Sequence, residues 1–126
     1  MTNILIADDI KLVSLHLKKI LQHLKYHNIT ITESTDETFN FLSNQNTINL
    51  LFLSDSLVGS HTIPNSIQLS KKVLEDYPHL KIVIITNHGK KQTILKFVNH
   101  GIKDYIEKPL NINKIKTMLN KLNIEF

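Results

Sequence analysis

The stretch from Asn49 to Gly59, NLLFLSDSLVG, decides how this chain is read. Four large apolar residues, Leu50 to Leu53, end abruptly in Ser54, Asp55 and Ser56, and Gly59 follows. A short apolar run without polar alternation reads as a strand buried on both faces, as in a parallel sheet. A carboxylate at the end of such a strand is costly to desolvate. Asp55 therefore either opens a turn or belongs to a site that needs a negative charge.

Outward from this stretch, apolar runs alternate with helical patterns. NILIA (3–7) reads as a strand, and residues 10–26 follow with Ile10, Val13, Leu17, Ile20, Leu21 and Leu24 at helical spacing. NITIT (28–32) alternates and is β-branched, which predicts a second strand. Ser34 and Glu37 fit a capping box ahead of a helix through Phe39 and Leu42. INLLFL (48–53) is the third strand, and residues 66–77 form a helix closed by Pro78. KIVIIT (81–86) is the fourth strand, residues 90–100 the fourth helix, with Gly101 as its stop. KDYIE (103–107) is the fifth strand, and Asn111 caps a last helix through Ile112, Ile115, Met118, Leu119 and Leu122. Five βα units predict a doubly wound α/β fold, a parallel sheet with helices on both faces.

The composition narrows the function. At 126 residues, with no linker or repeat, residues 1–126 are expected to form one domain with its own core. There is no cysteine, so disulfides and thiolate metal sites are excluded. The opening MTNILIADD has an apolar stretch of only four residues, so neither a signal peptide nor a membrane span is expected. A cytoplasmic location follows as the expectation. The net charge of +4 comes from fifteen lysines and no arginine. The lysines are scattered and the bidentate guanidinium fork is missing, so no direct nucleic-acid contact is expected.

Open parallel sheets bind ligands at the carboxyl ends of their strands, near the switch in strand order. Polar residues collect there. Strand one ends in Asp8 and Asp9, strand three in Ser54 and Asp55, strand four in Thr86 and Asn87, and strand five in Lys108 and Pro109. Three carboxylates brought that close repel one another unless a cation neutralises them, and hard oxygen ligands suit Mg²⁺. A hydroxyl and an ammonium beside the ion complete a cradle for a phosphoryl group. The set reads as a magnesium-assisted phosphoryl site with Asp55 as the carboxylate nucleophile.

Along its whole length the chain resembles the receiver domains of two-component response regulators, most of all the stand-alone chemotaxis kind. ILIADD matches the family's acidic pair, IVIITN its strand-four threonine, and GIKDYIEKP its Tyr-x-x-Lys-Pro element. The resemblance implies a flavodoxin-like (βα)5 fold with strand order 2-1-3-4-5. It implies that Asp9 binds Mg²⁺ directly and Asp8 through water, with Asp55 completing the metal set. Thr86 and Lys108 would contact the phosphoryl group, and Thr86 and Tyr105 would form the signalling switch. The phosphate would come from a histidine kinase or a histidine phosphotransfer protein. The chain would be no enzyme beyond self-phosphorylation and self-dephosphorylation. Its output would go to a downstream target protein, or to a homodimer mate, through a face built from helix four, strand five and helix five. That face carries Lys90, Lys91, Lys96, Lys103, Lys114 and Lys116, which suits an acidic partner.

One departure from the family pattern concerns the opening stretch. Family members usually place the phosphoacceptor directly after four apolar residues, with Pro-Gly four and five positions later. Counted so, Ser54 occupies the acceptor position, Val58 replaces the proline, and Gly59 falls where glycine should. Asp55 is then one residue late, and a one-residue slip along a strand turns a side chain to the opposite face. Either the strand is one residue longer or bulged and Asp55 accepts phosphate, or Ser54 makes the chain a pseudo-receiver interaction module without Asp phosphorylation.

Other motifs lead elsewhere less well. His23 and His27 share a spacing that can hold a metal, but no carboxylate is in register with them and no HExxH is present, so surface histidines are expected. HGKKQT lacks the upstream glycine of a P-loop, and no GxGxxG follows strand one.

Overall fold

The computed structural model describes residues 2–44, 47–87 and 89–125. In chain order the elements are β1 (Asn3–Ala7), α1 (Lys11–His23), β2 (Asn28–Thr32), α2 (Thr35–Asn44), β3 (Leu50–Ser54), α3 (Ser66–Asp76), β4 (Lys81–Thr86), α4 (Lys91–Val98), β5 (Asp104–Glu107) and α5 (Ile112–Lys121). Every strand pair is parallel, in the order β2-β1-β3-β4-β5. The order reverses between β1 and β3, so the crevice opens where those two strands end.

Strict alternation along the strands divides the core into two layers. Ile4, Ile6, Leu50, Phe52, Val83, Ile85 and Ile106 pack with Leu17, Ile20 and Leu21 of α1 and Ile115, Met118 and Leu119 of α5. Leu5, Ala7, Leu51, Leu53, Ile82 and Ile84 pack with Leu42 of α2, Leu69 and Val73 of α3, and Phe97 of α4. All five residues of β3 are buried, and each of its large apolar side chains contributes about 1.5–3 kcal/mol through burial. This is why the run shows no polar alternation.

The helix ends follow local chemistry. Ser34 Oγ accepts the Glu37 amide at 3.0 Å, while the Glu37 carboxylate reaches back to the Glu33 amide, one residue before the expected capping-box partner. Asn111 caps α5 by accepting the Lys114 amide, as expected, and Asn65 caps α3 by accepting the Gln68 amide. α1 stops at His23 rather than 26, because Lys25 turns left-handed with φ 78°. α4 is shorter than 90–100, and Gly101, with φ 94°, lets the Ile102 amide return to the Phe97 carbonyl.

The third strand differs from the predicted 48–53 at both ends. At its start the Asn49 side chain takes the Asn3 amide, and the ladder proper begins at Leu50. At its far end Ser54 pairs with Ile85, and the Asp55 amide still donates to the Ile85 carbonyl. The strand thus runs one residue past the apolar run without a bulge. Among the described residues, no helix is long and apolar enough to cross a membrane.

Candidate functional site

The register decides which side chains meet at the strand ends. Ala7 pairs with Leu53, and Leu53 with Ile84. Carried one residue past Ser54↔Ile85, the same register puts Asp55 level and in phase with Thr86. Ser54, paired with Ile85, falls on the alternate face with Phe52 and Leu50. The expectation that an unbulged strand would turn Asp55 to the wrong face is corrected by the hydrogen bond it accepts from Thr86. That expectation counted from the end of the apolar run, whereas phase is set by the neighbouring strands. Ser54 is 1% exposed and its hydroxyl faces that of Ser56 at 3.2 Å.

The side chains confirm this phase. Thr86, fully buried at the end of β4, donates its hydroxyl to Asp55 Oδ2 at 2.7 Å. No hydrogen bond to Asp55 Oδ1 occurs among the described residues, and Asp55 is half-buried. Asp8 is 3% exposed, and its Oδ1 accepts the Ile10 amide at 2.9 Å. The cap position of α1 falls on Ile10, so neither acid caps that helix. Asp9 is exposed beside them.

Burial holds the Asp8 carboxyl above the ordinary carboxylate range. The Ile10 hydrogen bond and the Lys108 ammonium pull it down, and the charges of Asp9 and Asp55 push it up. Lys108 is half-buried, its amide donates to the Thr86 carbonyl at 2.8 Å, and its peptide to Pro109 is cis. Tyr105, in β5, is 42% exposed.

The donor set is one of hard oxygens around a charge deficit. Among the described residues no three His, Cys, Asp or Glu side chains come together as a group that could hold a metal ion. Mg²⁺ does not require one, since it keeps several waters and takes one or two carboxylates directly. The carboxylates of Asp8, Asp9 and Asp55 fit such an ion in charge and hardness. His23, the last residue of α1, and His27, beyond its end, are both solvent-exposed, as expected.

Two parts of the region were not visible in the sequence. The loop after Asp55 is pinned by Ser66, whose hydroxyl donates to the Ser54 carbonyl at 2.5 Å and accepts the Leu57 amide. Its far side rests on the first turn of α2, where Asp36 accepts both the amide and the hydroxyl of Ser60 at 2.6 and 2.9 Å. Both contacts join residues far apart in the chain and carry no local sequence signal.

Comparison with known proteins agrees with this architecture. The sequence model for the response regulator receiver domain matches residues 4–120. The two-component response regulator ORR12 of Oryza sativa subsp. japonica is 30% identical, over 94% of this chain and 95% of that protein. The nitrogen assimilation regulatory protein NtrX of Azorhizobium caulinodans is 31% identical over 53% of this chain, a match spanning only 14% of that longer regulator. The crystal structure of the receiver domain of NtrX from Brucella abortus superposes with a TM-score of 0.84 at 24% identity, covering 94% of this chain and 96% of that one. With its fold, strand order and sequence in accord, the chain belongs to the response regulator receiver domain family.

Proposed function

We propose that this receiver accepts a phosphoryl group on Asp55, from the phosphohistidine of a histidine kinase or phosphotransfer protein, with Mg²⁺ held by Asp9 and Asp55 and by Asp8 through water. The observation that carries this reading is the 2.7 Å hydrogen bond from Thr86 Oγ1 to Asp55 Oδ2. It leaves Oδ1 as the attacking oxygen and puts a hydroxyl donor where a phosphoryl oxygen will arrive. Asp55 Oδ1 bonds to phosphorus as the phosphorus–nitrogen bond of the donor breaks, and the imidazole keeps the bonding pair. The metal, when bound, offsets the mutual repulsion of the carboxylates and the charge gathering on the phosphoryl oxygens. Lys108 pairs with one of those oxygens.

The Thr86 hydroxyl cannot serve Asp55 Oδ2 and a phosphoryl oxygen at once. Its move to the phosphoryl group draws the end of β4 inward and opens room for Tyr105, now 42% exposed, to turn in. The output is a population shift of the face formed by α4, β5 and α5. The lysines of that face suit an acidic downstream partner or a second copy of the chain. The protein acts as a cytoplasmic signalling module, not as an enzyme on a separate substrate.

Beryllofluoride with Mg²⁺, a phosphoryl mimic, tests the reading by NMR. The expected result is displacement of the Thr86, Lys108 and Tyr105 amide resonances only when both are present. Unmoved resonances would favour a fixed-conformation interaction module instead.

A further inference from the structure

The loop from Asp55 to Asn65 has little to stiffen it covalently. It holds Gly59, whose backbone is the freest of any residue, and no proline before Pro64. It is nevertheless tied down at nearly every step. The Leu57 amide donates to Ser66 Oγ, and Val58 bridges Asn65. Four further ties come from the first turn of α2. The Thr35 amide donates to the Val58 carbonyl, the Thr35 hydroxyl donates to the Ile63 carbonyl, and Asp36 takes both donors of Ser60. Gly59 lies so close to Thr35 that a Cβ there would sit 1.9 Å from Thr35 Oγ1. The Asp36 carboxyl is held below the ordinary range, chiefly by the Ser60 amide and then by its hydroxyl, so the ionised form is the one that grips the loop.

We infer that Asp36 is a positioning residue for the phosphoryl site: through Ser60 it fixes the backbone leaving Asp55, and thereby sets how tightly the site holds its cation. The inference rests on the proposed Mg²⁺-dependent chemistry at Asp55. The physical reason is preorganisation. A backbone carbonyl just after Asp55 would complete the metal shell there, so the course of this loop bears on how the cation is held. A loop that must be ordered when the ion arrives loses that ordering entropy from the binding free energy. Asp36 touches neither the cation nor the phosphoryl group, so its effect appears in affinity rather than in the chemical step.

The test uses the full chain with Asp36→Ala, Asp36→Asn and Ser60→Ala, and reads Mg²⁺ binding from the Thr86 amide in an NMR titration, apart from any labelling. Asp36→Ala should raise the Mg²⁺ dissociation constant about tenfold, the low end for loss of an outer partner of a metal site. Ser60→Ala, which keeps the Ser60 amide bond, should raise it by a smaller factor, with Asp36→Asn between the two. The maximal acetyl-phosphate labelling rate at saturating Mg²⁺ should stay within about twofold of wild type, since the groups at the reacting atoms are intact. Without metal, hydrogen exchange of the Thr35 and Leu57 amides should quicken in the same order. If Asp36→Ala does not fold, the two milder variants carry the test. Unchanged dissociation constants in folded variants of a wild type that binds and labels would overturn the positioning role alone. A wild type that neither binds Mg²⁺ nor labels would overturn the phosphoacceptor reading, and this inference with it.

Discussion

Gly59→Ala probes the packing that holds the acceptor loop. An added Cβ would lie 1.9 Å from Thr35 Oγ1, 2.7 Å from Asp36 Oδ2 and 3.0 Å from the Ile63 carbonyl oxygen. No real side chain tolerates the first contact, and Thr35 is fully buried, so it has no solvent to rotate into. Either the loop lifts off α2 or Thr35 gives up its bond to Ile63. Overpacking costs about 1–3 kcal/mol, and a buried hydroxyl left unpaired about 1–3 kcal/mol more. The entropy gained by removing a glycine from the unfolded chain returns about 0.4–1 kcal/mol. Partial relaxation keeps the sum below its ceiling, so a net loss of about 2–4 kcal/mol is expected, lowering Tm by roughly 6–15 °C for a domain of this size. Circular dichroism melts and urea titrations of the two proteins measure it. The control is Gly89→Ala, where, its chain neighbours aside, no atom of the described residues lies within 4 Å of the added carbon and the positive φ of 84° is what resists substitution. A Gly59→Ala Tm within a degree or two of wild type would refute the close approach of this loop to α2.

Three further outcomes follow from the site. Asp8→Asn removes a nearly inaccessible charge that faces Asp9 and Asp55, so it should raise the metal-free Tm at neutral pH while weakening Mg²⁺ binding, as scanning calorimetry and titration would record. Thr86→Val keeps the β-branched shape but deletes the donor to Asp55. Because water can reach the half-buried carboxylate, stability should change by less than about 1.5 kcal/mol, while beryllofluoride no longer shifts the Tyr105 resonance. Asp36, whose folded pKa is depressed by Ser60, adds stability that is present above its unfolded value of 3.8 and lost as pH falls through the folded one. The Tm advantage of wild type over Asp36→Asn should therefore be present at pH 5 and above and vanish in strong acid, and an advantage that persisted there would contradict the bond to Ser60.

Much of this architecture was legible in the chain because local patterns and tertiary roles agree. NILIA, NITIT and KIVIIT each carry the apolar content that their burial demands, and Asn111 caps the helix it announces. Gly101 adopts the positive φ that its stop position requires. Ser54 and Asp55 were harder, since phase in a parallel sheet is a relation between strands. Nothing within LLFLSD states that Ser54 pairs with Ile85, or that Asp55 stands level with Thr86. The Asp36–Ser60 contact spans 24 residues between a helix start and a loop. It obeys no periodicity, and Gly59 is its only trace in the sequence. The helix boundaries drifted for a simpler reason, because a lysine at φ 78° ends α1 where side-chain spacing alone would continue it.

The central claim is that Asp55, rather than Ser54 or no residue, takes the phosphoryl group. Intact-protein mass spectrometry after incubation with acetyl phosphate and Mg²⁺ tests it most directly. One phosphoryl increment is expected on wild type, with its loss on adding a chelator beforehand and its absence from Asp55→Asn. An increment that survives in Asp55→Asn, or a wild type that never gains one, would contradict it.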